Sequence, residues 1–171
     1  MKKRWVGIFA AVFWLVSQAV AAPLGSQELL TNDLVAQAKA HFEKGFYEDT
    51  PKGRGPEAAA EFAKAARLFE QALAADPNDA VAHRHLARLY AVQAKHLLAA
   101  KHYQRAGEID LLDLDALVLA ASEYAEAKRF AESRTLLQTA QGRTTDPHAL
   151  KWLQGFLKKL DDAEGSGRKG K

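Results

Sequence analysis

An all-α chain of stacked helix pairs is the fold class this sequence predicts, and three observations predict it. The first is a register of 34 residues: Ala65, Ala99 and Ser133 align, as do Phe69, Tyr103 and Leu137, and then Ala72, Ala106 and Ala140. The second is that small residues recur where large ones face them. Ala or Ser at the closest approach lets two antiparallel helices near each other, and an aromatic or Leu fills the gap beside it. The third is the placing of the helix breakers, with Asp76-Pro77-Asn78 and Asp146-Pro147 separating the periodic runs. With 48% apolar and 26% charged residues in 171, the composition is that of one folded domain.

Residues 1–21 have the three parts of a secretory signal. Lys2, Lys3 and Arg4 precede an uncharged apolar run from Trp5 to Val16, and Ala19-Val20-Ala21 offers a small-residue cleavage site. Cleavage after Ala21 is preferred to cleavage after Ala22, which would put Pro23 directly behind the scissile bond. The run is shorter than the roughly 18 to 20 apolar residues a spanning helix needs. Cleavage would leave a periplasmic or secreted protein; the alternative is an uncleaved N-terminal helix that anchors the domain to a membrane, since Ser17 to Ala22 lengthen the run. No cysteine is present, so lipidation at an N-terminal Cys, disulfides and thiolate metal sites are all excluded. Without residues 1–21 the chain carries 21 basic and 21 acidic residues, and residues 22–167 carry 18 and 21. That balance argues against nucleic acid as a partner.

After a short segment over 22–33, three repeats are expected across 34–147. The first opens with a helix near Leu34 to Gly45 and a turn at Gly45-Phe46-Tyr47. It is divergent, because Gln37 and His41 occupy two usually apolar places and about 15 extra residues are inserted near 50–64. Thr50-Pro51-Lys52-Gly53-Arg54-Gly55 reads as loop; Pro56, Glu57 and Ala58 to Ala60 then open a long second helix, Pro56 to Ala75. Two ungapped repeats follow, Ala80 to Asp113 and Leu114 to Pro147. A last helix over 148–162 puts Leu150, Leu153, Phe156, Leu157 and Leu160 on one stripe, as the cover for the open end of a stacked array. Residues 163–171, a basic Gly and Ser tail, are expected to be disordered.

Ala87, Tyr90, Ala99, Tyr103 and Ala106, continued by Leu117, Ala120, Ala121, Tyr124, Phe130, Ser133, Leu137 and Ala140, reproduce the spacing of the tetratricopeptide repeat, which the chain resembles over 34–147. The resemblance implies a right-handed α-solenoid of about three helix pairs with a C-terminal capping helix. It further implies a concave groove lined by the first helix of each pair. Those positions are Asn32, Val35, Lys39, Phe42 and Glu43, then Val81, Arg84, His85, Arg88, Ala91 and Val92, and finally Asp115, Val118, Leu119, Ser122, Ala125 and Glu126. Lys39, Phe42, Val81, Arg84, Arg88, Val92, Asp115 and Ser122 are the partner-binding candidates among them, and the groove runs from basic and apolar to acidic. Family members that clamp the terminal carboxylate of chaperones use Lys, Asn and Arg in the groove; Asp115 and Leu119 occupy two of those places, which disfavours that ligand class.

Chemistry is not expected. No phosphate-cradling Gly loop, His-Glu-x-x-His pair or Gly-x-Ser-x-Gly elbow occurs, so no catalytic residue, metal ligand or cofactor is assigned. His83, His85, His96 and His102 crowd one repeat, but His83 and His85 are two apart and diverge on a helix, whereas a chelating pair on one helix lies three or four apart. Asp110, Asp113 and Asp115 lack the glycine of a calcium loop and are expected to cap and join helices. Trp152 is expected to pack on the third repeat. The function these features imply is an exported adaptor that holds a protein or peptide partner. The alternative is a permanent subunit of an envelope assembly, with histidine-based metal binding a third, weaker reading.

Overall fold

The computed structural model describes residues 24–169, with side chains described from 28 to 165; residues 1–23, on which the expected signal falls, and residues 170–171 lie outside this range. Seven α-helices follow one another in the described chain: α1 Leu24–Glu43, α2 Gly55–Ala75, α3 Ala80–Val92, α4 His96–Ile109, α5 Leu114–Glu126, α6 Phe130–Gly142 and α7 Pro147–Lys169. Each packs on the next, so the architecture is an α-solenoid of three helix pairs closed by α7.

The same devices stop and start the helices at intervals of 34 residues. Asp79 accepts from the Ala82 N–H at 2.9 Å to cap α3, and Asp113 accepts from the Ala116 N–H at 3.0 Å to cap α5. The turns before them are pinned by Asp76, which accepts from the Asn78 N–H, and by Asp110, which accepts from the Leu112 N–H. At the far ends of α3 and α5, Ala94 and Lys128 adopt φ of 53° and 61°. Around Ala94 the Lys95 N–H bonds the Tyr90 carbonyl and the Ala94 N–H bonds the Ala91 carbonyl; around Lys128 the Arg129 and Lys128 N–H groups bond the Tyr124 and Ala125 carbonyls. This is the paired pattern of a Schellman cap, here built without glycine.

Packing follows the small and large alternation. Ala65, Ala99 and Ser133 are buried at the helix crossings, and the Ser133 hydroxyl is satisfied by the Ala121 carbonyl at 2.7 Å. Tyr90 donates to Glu70 at 3.1 Å and, one repeat on, Tyr124 donates to Gln104 at 3.0 Å, tying each pair to the helix before it. Gly107 is needed for its size, because a Cβ there would lie 2.7 Å from Cδ2 of the buried Leu117. One apolar cluster joins α1, α2 and α3; a second joins α3 to α7, and Tyr90 packs against both.

Three details differ from expectation. Helix α1 is already formed at Leu24, earlier than the start read near Leu34. The chain does not turn at Gly45-Phe46-Tyr47 but continues as a π-helical segment over Lys44–Asp49, closed by the Thr50 N–H on the Gly45 carbonyl at 3.0 Å. Gly45 serves close packing instead of a turn, since a Cβ would meet the Phe62 ring at 2.9 Å. At the other end α7 runs through to Lys169, past Asp162, so the segment expected as a disordered tail is helical as far as it is described. Arg134 on α6 holds that extension by bonding Asp161 at 2.5 Å and Glu164 at 3.0 Å.

Candidate functional site

The groove positions read from the repeat register fall on α1, α3 and α5. Val81 and Val92 are exposed on α3, giving apolar contact surface at its two ends. Between them His85 stacks flat on Phe69, with ring centroids 5.7 Å apart. Burial lowers the His85 pKa, and the charges of Lys39, Arg88 and Arg84 lower it further against an opposing effect of Glu43. Lys39 on α1 and Arg84 and Arg88 on α3 are thus each near enough for their charges to act on His85. The buried Tyr103 on α4 has its phenol pushed up mainly by burial and then by Glu123, with Arg88 and Arg84 acting the other way.

Each candidate has its own situation. Arg84 is paired with Asp113, the cap of α5, so part of its charge is already spent on the chain's own junction. Arg88 lies over two rings, 5.2 Å from the Phe42 centroid and 5.7 Å from that of Phe46, and reaches the Tyr47 hydroxyl at 3.4 Å. Phe42 is consequently 3% exposed and packs on Phe46 and Phe62; it supports the wall from below and offers no surface to a ligand, contrary to its reading as a contact residue. Asp115 is exposed and Ser122 partly so at the acidic end, Asp115 also standing in the first turn of α5. Beside them Glu123 accepts from His96 Nδ1 at 2.8 Å.

Sequence reasoning missed Phe46 and Tyr47, which carry Arg88, and Asp113, which holds Arg84. Their partners lie 41 and 29 residues away for Tyr47 and Asp113, and neither spacing has a helical or repeat signature. Trp152 also departs from expectation. It is 55% exposed on the outer side of α7, in edge contact with Phe156, beside a cavity of about 560 Å³ lined by His148, Lys151, Gly155, Phe156 and Lys159. Leu153 and Leu160, one stripe round the helix, supply the buried face. Asp110 and Asp113 are used in the junction before α5, as their spacing implied.

No family model matches the chain, and no curated protein matches it in sequence. Solved structures do match in fold. The first TPR domain of the human RPAP3 protein aligns with a TM-score of 0.54 at 16% identity, over 79% of this chain and 98% of that one. The second TPR domain of human RPAP3, in complex with the HSP70 peptide SGPTIEEVD, aligns at 0.53 and 16%, over 77% and 98%. The first TPR of Spaghetti (RPAP3), bound to the HSP90 peptide SRMEEVD, aligns at 0.52 and 15%, over 77% and 95%. The fold is thus that of tetratricopeptide domains.

Proposed function

We propose that this chain is a non-catalytic adaptor whose groove receives an acidic peptide segment of a partner protein. The observation that carries the reading is that Arg84 and Arg88, one turn apart on α3 with Arg88 laid over Phe42 and Phe46 of the first repeat, stand between the exposed Val81 and Val92, with Lys39 near enough for its charge also to act on His85. A carboxylate there gains charge-assisted hydrogen bonds, while the valines take up apolar side chains. Structural neighbours were solved with peptides ending in Glu-Glu-Val-Asp, which supports a peptide as the ligand. Asp115 and Leu119 at the acidic end speak for a different sequence from those, with its acidic residues at the α1–α3 end only.

The test is direct binding of fluorescent acidic and basic peptides, followed by anisotropy. Lys39→Glu with Arg88→Gln is a better probe than reversal of Arg84, which would set a carboxylate against Asp113. Acidic peptides should bind the wild type more tightly at low salt, and the double variant should lose at least tenfold while keeping its helical circular dichroism. Equal binding by wild type and variant would remove the basic wall from the function. The setting we propose is the periplasm or cell envelope, on the strength of residues 1–21 alone; a mature protein beginning at Ala22 supports it, and an intact Met1 in the membrane fraction overturns it.

A second reading has its own observation. The exposed Trp152, with Phe156 and the flanking lysines, is a surface of the kind that anchors a permanent subunit contact. In that case Trp152→Ala releases the chain from a large complex, and the groove variant does not.

A further inference from the structure

Two apolar surfaces of the described chain are bare, and they are opposite in charge. The first is the junction between α4 and α5, where Leu111 is 62% and Leu112 92% exposed. In the 34-residue register Pro77-Asn78 and Thr145-Asp146 stand at these places. A polar or proline turn therefore suffices to join two repeats, and the leucines answer no demand of the junction itself. Residues 108–115 hold four acids, Glu108, Asp110, Asp113 and Asp115, and no base. Arg105 and Arg84 pair with Glu108 and Asp113, while Asp110 and Asp115 are exposed and in no ion pair among the described residues.

The second surface is the outer side of α7. Trp152 meets Phe156 edge to face there, beside the cavity of about 560 Å³ that His148, Lys151, Gly155 and Lys159 also line. Residues 147–160 hold three lysines and no acid, and Lys151 and Lys159 are exposed and in no ion pair among the described residues. Gly155 lies one turn from Trp152 in a helix interior, where glycine costs about 1 kcal/mol relative to alanine. A Cβ at Gly155 would meet nothing, so no packing within the chain requires the glycine; its effect is to keep a notch open beside the two aromatic rings.

We propose that these two surfaces bind each other between copies of this chain. Leu111 and Leu112 of one copy enter the notch over Gly155 of the next, against Trp152 and Phe156, and Lys151 and Lys159 face Asp110 and Asp115. Inside one chain neither surface covers the other, since both stay exposed. An anionic lipid surface would suit Trp152 and the lysines alone, but it would repel the acidic junction and leave its leucines bare. Because each copy offers two different surfaces, the contact is heterologous and copies add head to tail. The proposal rests on the second reading above only in taking Trp152 as a contact surface; it names a second copy as the partner and leaves the groove free.

The experiment uses the mature chain from Ala22, in which Trp152 is the only tryptophan. Analytical ultracentrifugation over about 1 µM to 1 mM, the range of a contact of this small size, should show mass rising with concentration. Trp152 emission should shift to the blue over the same range, and raised salt should weaken both changes. Leu112→Asn installs the residue of the preceding junction, and Gly155→Gln fills the notch without meeting other atoms of its own chain. Each should weaken association about tenfold or more while helical circular dichroism is retained. The two variants keep opposite halves of the contact, so an equimolar mixture should form dimers and nothing larger. A mixture that stays monomeric, or a wild type that stays monomeric throughout, overturns the self-contact. If the wild type is monomeric yet Trp152→Ala still releases the chain from a large complex, the subunit reading stands and its partner is another protein. A monomer whose Trp152 emission shifts on phosphatidylglycerol vesicles assigns the surface to lipid instead.

Discussion

Glu61 on α2 sits in a buried place yet is a carboxylate, and three neighbours make that possible: His41 at 2.6 Å, Lys64 at 3.0 Å and Lys44 at 3.0 Å. Their hydrogen bonds, that of His41 foremost, hold its pKa down from 4.5 to about 2. His102 is perturbed in the opposite chemical sense, since burial lowers its pKa from 6.5 to about 4 and keeps it neutral. The two effects act on stability in adjoining windows. Below pH 6.5 the unfolded chain binds a proton at His102 that the folded chain refuses until about pH 4, so stability is full above 6.5 and falls as pH drops toward 4. Glu61 contributes stability that is full above 4.5 and is lost between there and about 2. Urea unfolding as a function of pH should show both declines, with His102→Phe flattening the upper one and Glu61→Gln the lower. An upper decline unchanged in His102→Phe would show that this imidazole titrates normally in the folded protein.

At the level of elements, the recurring junctions were readable because they sit in the 34-residue register: once Asp76 and Asp79 are seen to delimit a helix, Asp110 and Asp113 follow. The π segment was not readable. Gly45-Phe46-Tyr47 has the composition of a turn, and only its contact with Phe62, on the far side of the insertion, keeps the helix going. The groove divides in the same way, for Val81 and Arg88 are fixed by register, while the burial of Phe42 depends on Arg88 folding across it. The hydrogen bond between His83 on α3 and His102 on α4 depends on the relative rotation of those helices, which no spacing of 19 residues encodes. The Schellman caps make a quantitative prediction. Ala94 and Lys128 hold left-handed backbone that costs an L-residue about 1 to 2 kcal/mol, whereas glycine adopts it freely at a cost of about 0.5 to 1 kcal/mol in unfolded-state entropy. Ala94→Gly and Lys128→Gly should therefore each stabilise by about 0.5 to 1 kcal/mol, and the two should add because the sites lie in separate turns. Destabilisation by either would mean that its turn does not have this conformation in solution.

Considered whole, a solenoid has no single centre, and each repeat is stabilised only by its neighbours. The two apolar clusters here make that concrete: α1, α2 and α3 share one, and α3 to α7 share the other. Helix α7 contributes Leu153 and Leu160 to the second cluster, with Leu157 and Phe156 packed against it, and Arg134 clips its extension to α6. Burial of each such side chain contributes roughly 1.5 to 3 kcal/mol. Ending the chain at Asp146 removes all of them and bares the faces of α5 and α6, including Leu136 and Leu137. Because the loss is local, its effect should be graded along the array. Amide hydrogen exchange of the truncated protein should speed by orders of magnitude in α5 and α6, while α2 and the first turns of α3 keep most of their protection. Aggregation should follow through the exposed leucines at higher concentration. The single change Leu153→Ala should give a weaker version of the same gradient, at a cost of about 2 to 5 kcal/mol. Uniform loss of protection from α1 to α6 would instead make the domain one cooperative unit, with α7 part of a common core rather than the cover of its last repeat.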